Sequence, residues 1–203
     1  MIKNVIFDIG GVIVKFKKET YLDPLGLDEA TKNYLIDEIL FTDDWFQLSI
    51  GKMTQTEFLD NVAKKHPDYL ELTKPVFEIE TLKKLLPVYT QTIELIKKIK
   101  EKGYRLFIIS DLEESNVAYV ESQIPNIYEL FEDIIYSCRV GMVKKHGEIF
   151  DLAINRFNIV PEESIFIDDT QINLDQASKR KINTFRFTDP NVHIAELEKI
   201  LFN

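Results

Sequence analysis

Two hydrophobic patterns alternate along this chain of 203 residues. Short runs of β-branched and aromatic residues, bounded by glycine or polar residues, predict strands that are buried on both faces, as in a parallel sheet. Apolar residues spaced three and four positions apart predict helices between the later strands. Strands that alternate with helices in this way imply an α/β fold with a doubly wound parallel sheet. The predicted strands are residues 4–9, 105–110, 133–136, 164–168 and 183–187, and the predicted helices include 92–101, 148–157 and one that starts after Asp189.

One long interval, residues 18–86, breaks the alternation because it carries helical signals and no strand pattern. Thr54 and Glu57 form a capping-box signature within it. An interval of this length exceeds an ordinary connection between a strand and a helix. We therefore predict a helical cap subdomain at 18–86, inserted into a core of residues 1–17 and 87–203. Since the first strand ends where the insertion begins, we expect the cap to cover that end of the sheet as a lid.

Polar residues with reactive groups follow the predicted strands. The carboxyl ends of parallel strands meet at one edge of a sheet, where open α/β folds bind ligands. Crowded carboxylates repel one another and need a cation, and hard oxygen ligands suit Mg²⁺. A hydroxyl and an ammonium group nearby suit a phosphate, and a carboxylate can attack phosphorus. The residues that we expect at this edge are Asp8, Ser110, Lys144, Asp168 and Asp169.

Composition narrows the classes of partner. The formal net charge of -9 argues against a nucleic acid or an anionic membrane as the partner. Cys138 is the single cysteine, so an intramolecular disulfide is excluded, and a free thiol fits a reducing compartment. The sequence leads from Met1 directly into the first strand, with neither a signal peptide nor a spanning segment in the pattern. We therefore expect a cytoplasmic protein that acts on a small molecule, and the pattern leaves its oligomeric state open.

The order of these motifs, with a helical insertion between the first and the second, resembles the haloacid dehalogenase (HAD)-like hydrolase superfamily. The resemblance covers nearly the whole chain, and the insertion looks like the type 1 cap of that superfamily. It implies a Rossmann-like core and a Mg²⁺-dependent phosphatase that hydrolyses a small phosphorylated metabolite through an aspartyl-phosphate. A sugar phosphate is one candidate, since the branch with glycine two residues after the nucleophile includes bacterial sugar-1-phosphate phosphatases.

The resemblance also implies roles for residues that match the motifs by position. Asp8 would be the nucleophile, Ser110 and the backbone amide of Asp111 would hold the phosphoryl group, and Lys144 would neutralise the negative charge. Asn173 falls where a polar residue often supports the metal site. The implied Mg²⁺ ligands are Asp8, the carbonyl of Gly10, Asp169, and Asp168 either directly or through water.

Three positions of the sequence depart from the family pattern. Gly10 replaces the aspartate that usually protonates the leaving group, a role worth about 10²–10⁴-fold in rate. We therefore expect a preference for good leaving groups, with His66 or His146 as candidate substitutes for the missing acid. Asp111 and Lys145 stand where the family usually has asparagine and proline.

Other functions remain open at this point. The alternative from another class is a catalytically weakened family member that binds a phosphorylated ligand or a protein partner. A haloacid dehalogenase would need no metal, and a phosphomutase would rely on the absent acid. Substrate specificity would come from cap loops, where we select Trp45, Phe46, Gln47 and Lys52 as candidates.

Overall fold

The computed structural model describes residues 1–124 and 126–202 and centres on a parallel five-stranded sheet with the strand order β3-β2-β1-β4-β5. This confirms the predicted fold class. The first and last strands end earlier than predicted, whereas the bounds of the other three match the prediction. The strands are β1 (Asn4–Phe7), β2 (Arg105–Ser110), β3 (Asp133–Tyr136), β4 (Ser164–Asp168) and β5 (Asn183–Arg186).

The early end of β1 has a local cause. The carbonyl of Ile9 accepts hydrogen bonds from the amides of Val12, Ile13 and Val14, so the chain turns back directly after Asp8. This turn takes the carboxylate of Asp8 out of the strand and places it above the edge of the sheet.

Strand β1 lies at the centre of the sheet, which explains its apolar sequence. It pairs with β2 on one side and with β4 on the other, and Phe7 lies opposite both Ile108 and Ile167. Val5 and Phe7 pack into the cluster on one face of the sheet, while Ile6 packs into the cluster on the other face. Because all three strands run in parallel, the residues that follow them meet at the same edge.

Helices surround the sheet, and every regular element between β1 and β2 in the described chain is helical, as the sequence indicates. The assignment of 18–86 to a separate cap subdomain stays a prediction. The helices are α1 (Glu29–Tyr34), α2 (Asp43–Ser49), α3 (Gln55–Lys65), α4 (Leu70–Thr73), α5 (Ile79–Leu85), α6 (Thr90–Glu101), α7 (Glu114–Gln123), α8 (Ile127–Leu130), α9 (Ser137–Val140), α10 (Glu148–Arg156), α11 (Gln171–Ser178) and α12 (Pro190–Phe202). One π-helical turn, Leu35–Ile39, follows α1, and short 3₁₀ turns are Lys18–Thr20, Asp23–Leu25, Pro67–Tyr69, Lys74–Phe77, Lys144–His146 and Pro161–Glu163.

Local sequence signals explain several helix ends. Thr54 and Glu57 form the predicted capping box at the start of α3, with reciprocal side-chain hydrogen bonds to backbone amides. Helix α12 begins at Pro190, and the carboxylate of Asp189 accepts from the amide of Asn191, 2.9 Å away. Ile194, Leu197, Ile200 and Leu201 have the spacing of one apolar helix face, yet Ile200 is 51% exposed. The helical face therefore runs narrower than the pattern indicates.

The two segments that connect the sheet to the helical interval, residues 13–15 and 87–89, run next to each other. Val14 and Val88 form an antiparallel bridge, and the amide of Lys15 donates to the carbonyl of Pro87 at 2.9 Å. The amide of Tyr89 donates a hydrogen bond to the carbonyl of Ile13 at 2.8 Å. These contacts fix where the helical interval starts and ends relative to Asp8. Within the described parts of the chain, none of the helices has both the length and the apolar character that a membrane crossing requires.

Candidate active site

The buried carboxylate of Asp8 lies at the centre of the site. Its Oδ1 accepts a hydrogen bond from the Ser110 hydroxyl at 2.8 Å, and its Oδ2 pairs with the Lys144 ammonium at 2.6 Å. Only 5% of Asp8 is exposed. The hydroxyl comes from the end of β2 and the ammonium from the turn after β3, so groups from three strand ends fix this one carboxylate.

Lys144 is the buried cation that links the carboxylates. It is 2% exposed, and its Nζ lies 2.7 Å from Asp168 Oδ2 as well as near Asp8. Burial alone would favour the neutral amine, but the carboxylates of Asp168, Asp8 and Asp111 raise the pKa of Lys144 above its usual range. Burial also raises the pKa of Asp8 to about 8, against the opposite effect of the Lys144 ammonium. The amine is therefore charged, while the carboxylates need further positive charge.

The side chain of Asp111 has a structural partner. Both of its carboxylate oxygens lie 3.2 Å from the backbone amide of Lys144, which donates to them. Burial raises the pKa of this carboxyl group. The contact joins the loop after β2 to the turn that carries Lys144. An aspartate at this position thus holds two motifs together through its side chain.

The adjacent residues Asp168 and Asp169 have different environments. Asp168 is fully buried and accepts from Lys144 Nζ, from the Thr170 amide at 2.7 Å and from Asn173 Nδ2 at 3.2 Å. Asp169 is partly exposed and accepts from the Thr170 hydroxyl at 3.0 Å. Burial, with a smaller contribution from Asp168, raises the pKa of Asp169. Both carboxylate oxygens of Asp168 are therefore hydrogen-bonded within the protein, while Asp169 keeps acceptor positions that face the cavity.

Gly11 lets the first loop approach Asp169 closely. Its φ is +74°, and a Cβ at this position would lie 2.4 Å from Asp169 Oδ2. Any other residue here would be strained and would collide with the carboxylate. The neighbouring Gly10 has a φ outside the left-handed region, and a Cβ there would only touch the Phe16 ring at 3.8 Å.

The acidic residues fit a divalent cation. Asp8, Asp168 and Asp169 can each offer an oxygen atom within 4.8 Å of the others. Within the described chain, the backbone amides that close the turn after β1 donate to Ile9 and Val14, which leaves the carbonyl of Gly10 available. Oxygen donors of this kind are those that Mg²⁺ prefers. The donor set thus suits a hard divalent ion at the edge of the sheet.

These groups open into a cavity of about 220 Å³. The cavity is lined by four of the expected residues, Asp8, Ser110, Lys144 and Asp169, while Asp168 lies buried behind them and neither candidate histidine reaches the cavity. His66 bonds through Nδ1 to the Tyr34 hydroxyl at 2.9 Å, away from this cavity, and the exposed His146 contacts the Phe46 ring. Trp45 lines the cavity, whereas the cap-loop candidates Phe46, Gln47 and Lys52 do not. The lining residues that carry chemistry or shape are Asp8, Gly10, Phe16, Tyr21, Phe41, Trp45, Ser110, Asp111, Glu113, Asn116, Lys144, Asp169, Thr170 and Asn173.

Tyr21, Glu113 and Asn116 line this cavity and were missed in the sequence. The pattern Glu113-Glu114-Ser115-Asn116 directly after the second motif is a helix start, and a glutamate there reads as an ordinary cap. Tyr21 lies in a segment without a periodic signal. The position of Glu113 two residues beyond Asp111 was the available clue that its side chain reaches the same cavity.

A family model described as haloacid dehalogenase-like hydrolase matches residues 2–177. The chain belongs to this family. Among the relatives of this HAD-like hydrolase, acyl-CoA dehydrogenase family member 10 of Mus musculus is 27% identical over 98% of this chain, which spans 19% of the mouse protein. D-ribitol-5-phosphate phosphatase of Bacteroides thetaiotaomicron is 26% identical over 92% of each chain. A HAD family enzyme of the same organism, crystallised with magnesium and inorganic phosphate, has a TM-score of 0.75 at 23% identity, covering 92% of this chain and 94% of that one. This last likeness shows the common fold.

Proposed function

We propose that this HAD-like hydrolase is a Mg²⁺-dependent phosphatase that hydrolyses a small phosphorylated metabolite through a phosphorylated Asp8. The main support is the environment of Asp8, which is buried, lies in a cavity, and has the Ser110 hydroxyl on one oxygen and the Lys144 ammonium on the other. The relative named as a D-ribitol-5-phosphate phosphatase, and the related enzyme crystallised with magnesium and phosphate, support the same chemistry.

The proposed reaction has two transfers. In the first, an oxygen of Asp8 forms a bond to phosphorus while the bond from phosphorus to the leaving oxygen breaks. In the second, water attacks the phosphorus of the aspartyl-phosphate, which releases inorganic phosphate and restores Asp8. Ser110 and the Asp111 amide would hold the phosphoryl oxygens, and Lys144 would stabilise their negative charge.

The metal would supply positive charge and orient the phosphate. Asp8, the Gly10 carbonyl and Asp169 would bind it directly. A carboxylate has about four acceptor positions, and those of Asp168 are engaged by Lys144, Thr170 and Asn173. Asp168 therefore fits the role of a residue that positions Lys144 and reaches the ion through water.

The leaving oxygen needs a proton from a group other than residue 10. Gly10 has no side chain, and the Phe16 ring lies next to it. The histidines considered above lie away from the cavity lining. We infer that protonation of the leaving group is the weak step of this site, which favours substrates whose leaving group is stable as an anion.

The decisive experiment measures hydrolysis of p-nitrophenyl phosphate and acetyl phosphate with Mg²⁺ and with EDTA. We expect turnover with Mg²⁺, loss of turnover in EDTA and recovery when Mg²⁺ is added in excess. The Asp8→Asn variant should be inactive, whereas Asp60→Asn, which removes the same charge from an exposed position on α3, should keep the activity. Full turnover of these phosphates in EDTA would contradict the proposed Mg²⁺ requirement. Absent turnover in the folded protein would favour the weakened family member that only binds.

A further inference from the structure

The cavity has a second polar region besides Asp8 and Asp169, formed by Tyr21, Glu113 and Asn116. Glu113 and Asn116 lie one turn apart at the start of α7, and Tyr21 comes from the helical interval between β1 and β2. None of these side chains has a role in the phosphoryl transfer proposed above. Their place in the cavity suggests contact with the part of the substrate beyond the phosphate.

Asn116 has an unsatisfied polar atom in its side chain. Its side chain is 7% exposed, and its Oδ1 has no hydrogen-bond partner among residues 1–124 and 126–202. Most buried polar atoms in native proteins have a partner, because an unsatisfied one costs the full desolvation penalty. Because Oδ1 is also closed off from solvent, a bound molecule supplies its partner when the Asn116 amide turns toward the cavity that this residue lines.

Glu113 is fixed by the helix that it caps. Its carboxylate accepts from the Ser115 amide at 2.8 Å, from the Asn116 amide at 2.7 Å and from the Ser115 hydroxyl. A carboxylate has about four acceptor positions, so one remains for a ligand. Glu113 is 2% exposed and cannot turn away to solvent without uncapping α7. The acceptor is therefore held rigidly at the cavity wall.

Tyr21 provides a hydroxyl and an aromatic surface. Its ring packs edge-on against Phe16 and Phe41, with centroids 5.6 and 5.9 Å away, and Phe41 contacts Trp45 in turn. Burial, with the nearby Glu113 carboxylate, raises the pKa of Tyr21, so its hydroxyl stays protonated and can both donate and accept. These rings form an apolar wall beside the polar groups.

We propose that Tyr21, Glu113 and Asn116 bind the hydroxyl groups of a phosphorylated polyol or sugar. The inference rests on the proposed phosphatase function and adds its substrate class. Glu113 and the Asn116 oxygen need donors, while the Asn116 nitrogen and the Tyr21 hydroxyl can donate. Hydroxyl groups both donate and accept, so they match this mixture, whereas an ammonium group only donates and an alkyl chain does neither. The aromatic wall packs against the carbon chain, as in most small-molecule sites.

The size of the cavity agrees with a small substrate. Sites for drug-sized ligands measure about 300–1,000 Å³, so a cavity of about 220 Å³ fits a short phosphorylated carbon chain rather than a nucleotide.

The test compares the affinities of two phosphate esters with the same number of carbons. D-ribitol 5-phosphate and n-pentyl phosphate differ in their hydroxyl groups, and the Asp8→Asn variant prevents turnover of either one. We expect calorimetry with Mg²⁺ to give a Kd about 100-fold lower for the ribitol ester, because a site built for hydroxyl groups rejects analogues that lack them. Inorganic phosphate serves as the third ligand, since it reaches only the phosphoryl site.

Two further variants test whether Tyr21 and Asn116 cause the preference for the ribitol ester over the pentyl ester. Tyr21→Phe and Asn116→Leu, each added to Asp8→Asn, should lower the ratio of the two Kd values about tenfold. Tyr34→Phe removes a tyrosine hydroxyl outside the cavity, where it bonds to His66, and should leave the ratio unchanged. Asn116→Leu should also raise the Tm by about 2–4 °C, since it replaces an unsatisfied buried amide with an apolar group of similar volume.

The outcomes separate the inference from the function on which it rests. Equal affinities for the two esters, or ratios that the Tyr21 and Asn116 variants leave unchanged, would overturn the polyol subsite while phosphate binding persists. Tighter binding of phosphoethanolamine than of the ribitol ester would overturn it in favour of an amine site. If inorganic phosphate also failed to bind in the presence of Mg²⁺, the phosphatase proposal itself would fall.

Discussion

Replacing Gly10 by aspartate should restore the acid that this site lacks. In the phosphatase proposed here, the oxygen that leaves phosphorus gains negative charge and has no side chain at residue 10 to protonate it. Aspartate at this position would donate a proton to the leaving group and then accept one from the attacking water. We therefore expect Gly10→Asp to accelerate the hydrolysis of phosphate esters with poor leaving groups.

The structure indicates that the loop tolerates this change. Gly10 has a φ that other residues adopt, and its added Cβ would meet only the side chain of Phe16, at 3.8–4.0 Å. Those distances are ordinary van der Waals contacts. Gly11 makes the contrasting case, because its φ is +74° and its added Cβ would lie 2.4 Å from Asp169 Oδ2. The two adjacent glycines should therefore respond in opposite ways to the same replacement.

The expected gain depends on the leaving group. General acid–base catalysis contributes about 10²–10⁴-fold, which corresponds to about 2.7–5.4 kcal/mol of transition-state stabilisation. A primary alkyl phosphate, whose leaving oxygen needs the proton most, should gain most of this factor. Acetyl phosphate and p-nitrophenyl phosphate leave as stable anions and should gain little. In the unsubstituted protein we expect kcat/KM to fall steeply as the pKa of the leaving group rises, and Gly10→Asp should flatten that slope.

The assay is kcat/KM with Mg²⁺ across aryl, acyl, anomeric and primary alkyl phosphates. Gly10→Asn is the matched control, because its side chain has the same shape but transfers no proton. Gly11→Asp should lose activity through strain at the loop, which tests the geometric reasoning separately. A folded Gly10→Asp protein with the same slope as the unsubstituted one would refute the argument, since another group would then already supply the proton.

Three other changes test the electrostatics and the lid. Lys144→Met should lower the free energy of unfolding, measured in urea titrations, by about 3–5 kcal/mol, because it leaves the buried carboxylates unpaired. Lys97→Met on α6 is the exposed control, and an equal loss of stability in both variants would contradict this prediction. Asp169→Asn should weaken Mg²⁺ binding measured by calorimetry, while the Tm stays level or rises because one of several crowded like charges is removed. A lower Tm with unchanged Mg²⁺ affinity would instead assign Asp169 a structural role. Hydrogen exchange at residues 16–18 and 86–90 should slow when Mg²⁺ and a phosphate analogue bind, and equal exchange rates would indicate a fixed cap.

Much of the fold could be predicted because its signals are local. The central strands are apolar on both faces, so their sequences stand out, and the bounds of β2, β3 and β4 agree with the pattern. The end of β1 could not be predicted to the residue, since it depends on the carbonyl of Ile9 accepting from three following amides. A turn of that kind has no periodic pattern in the sequence.

The convergence of reactive groups was predictable for a different reason, namely topology. Once Asp8, Ser110 and Asp168 are placed at the ends of parallel strands, the sheet brings them to one edge. The contacts of Asp111 were not predictable, because its hydrogen bonds to the Lys144 amide depend on how two loops pack. The position of Glu113 in the cavity was missed for a similar reason, since a glutamate that caps a helix and one that also lines a cavity have the same sequence pattern.

The arrangement around Lys144 explains how the carboxylates of the site are positioned. Asp8 and Asp168 are held by its ammonium group, and Asp111 by its backbone amide, so a single residue connects the ends of β1, β2 and β4. Burying like charges around one cation opposes folding, and residues elsewhere in the fold must compensate for it. In the proposed mechanism, Asp8 and its partners would then need little rearrangement when a phosphate binds, which would lower the cost of reaching the transition state. Because that one cation leaves excess negative charge on the cavity side of Asp169, the same packing that fixes Asp8 favours a divalent ion beside these carboxylates.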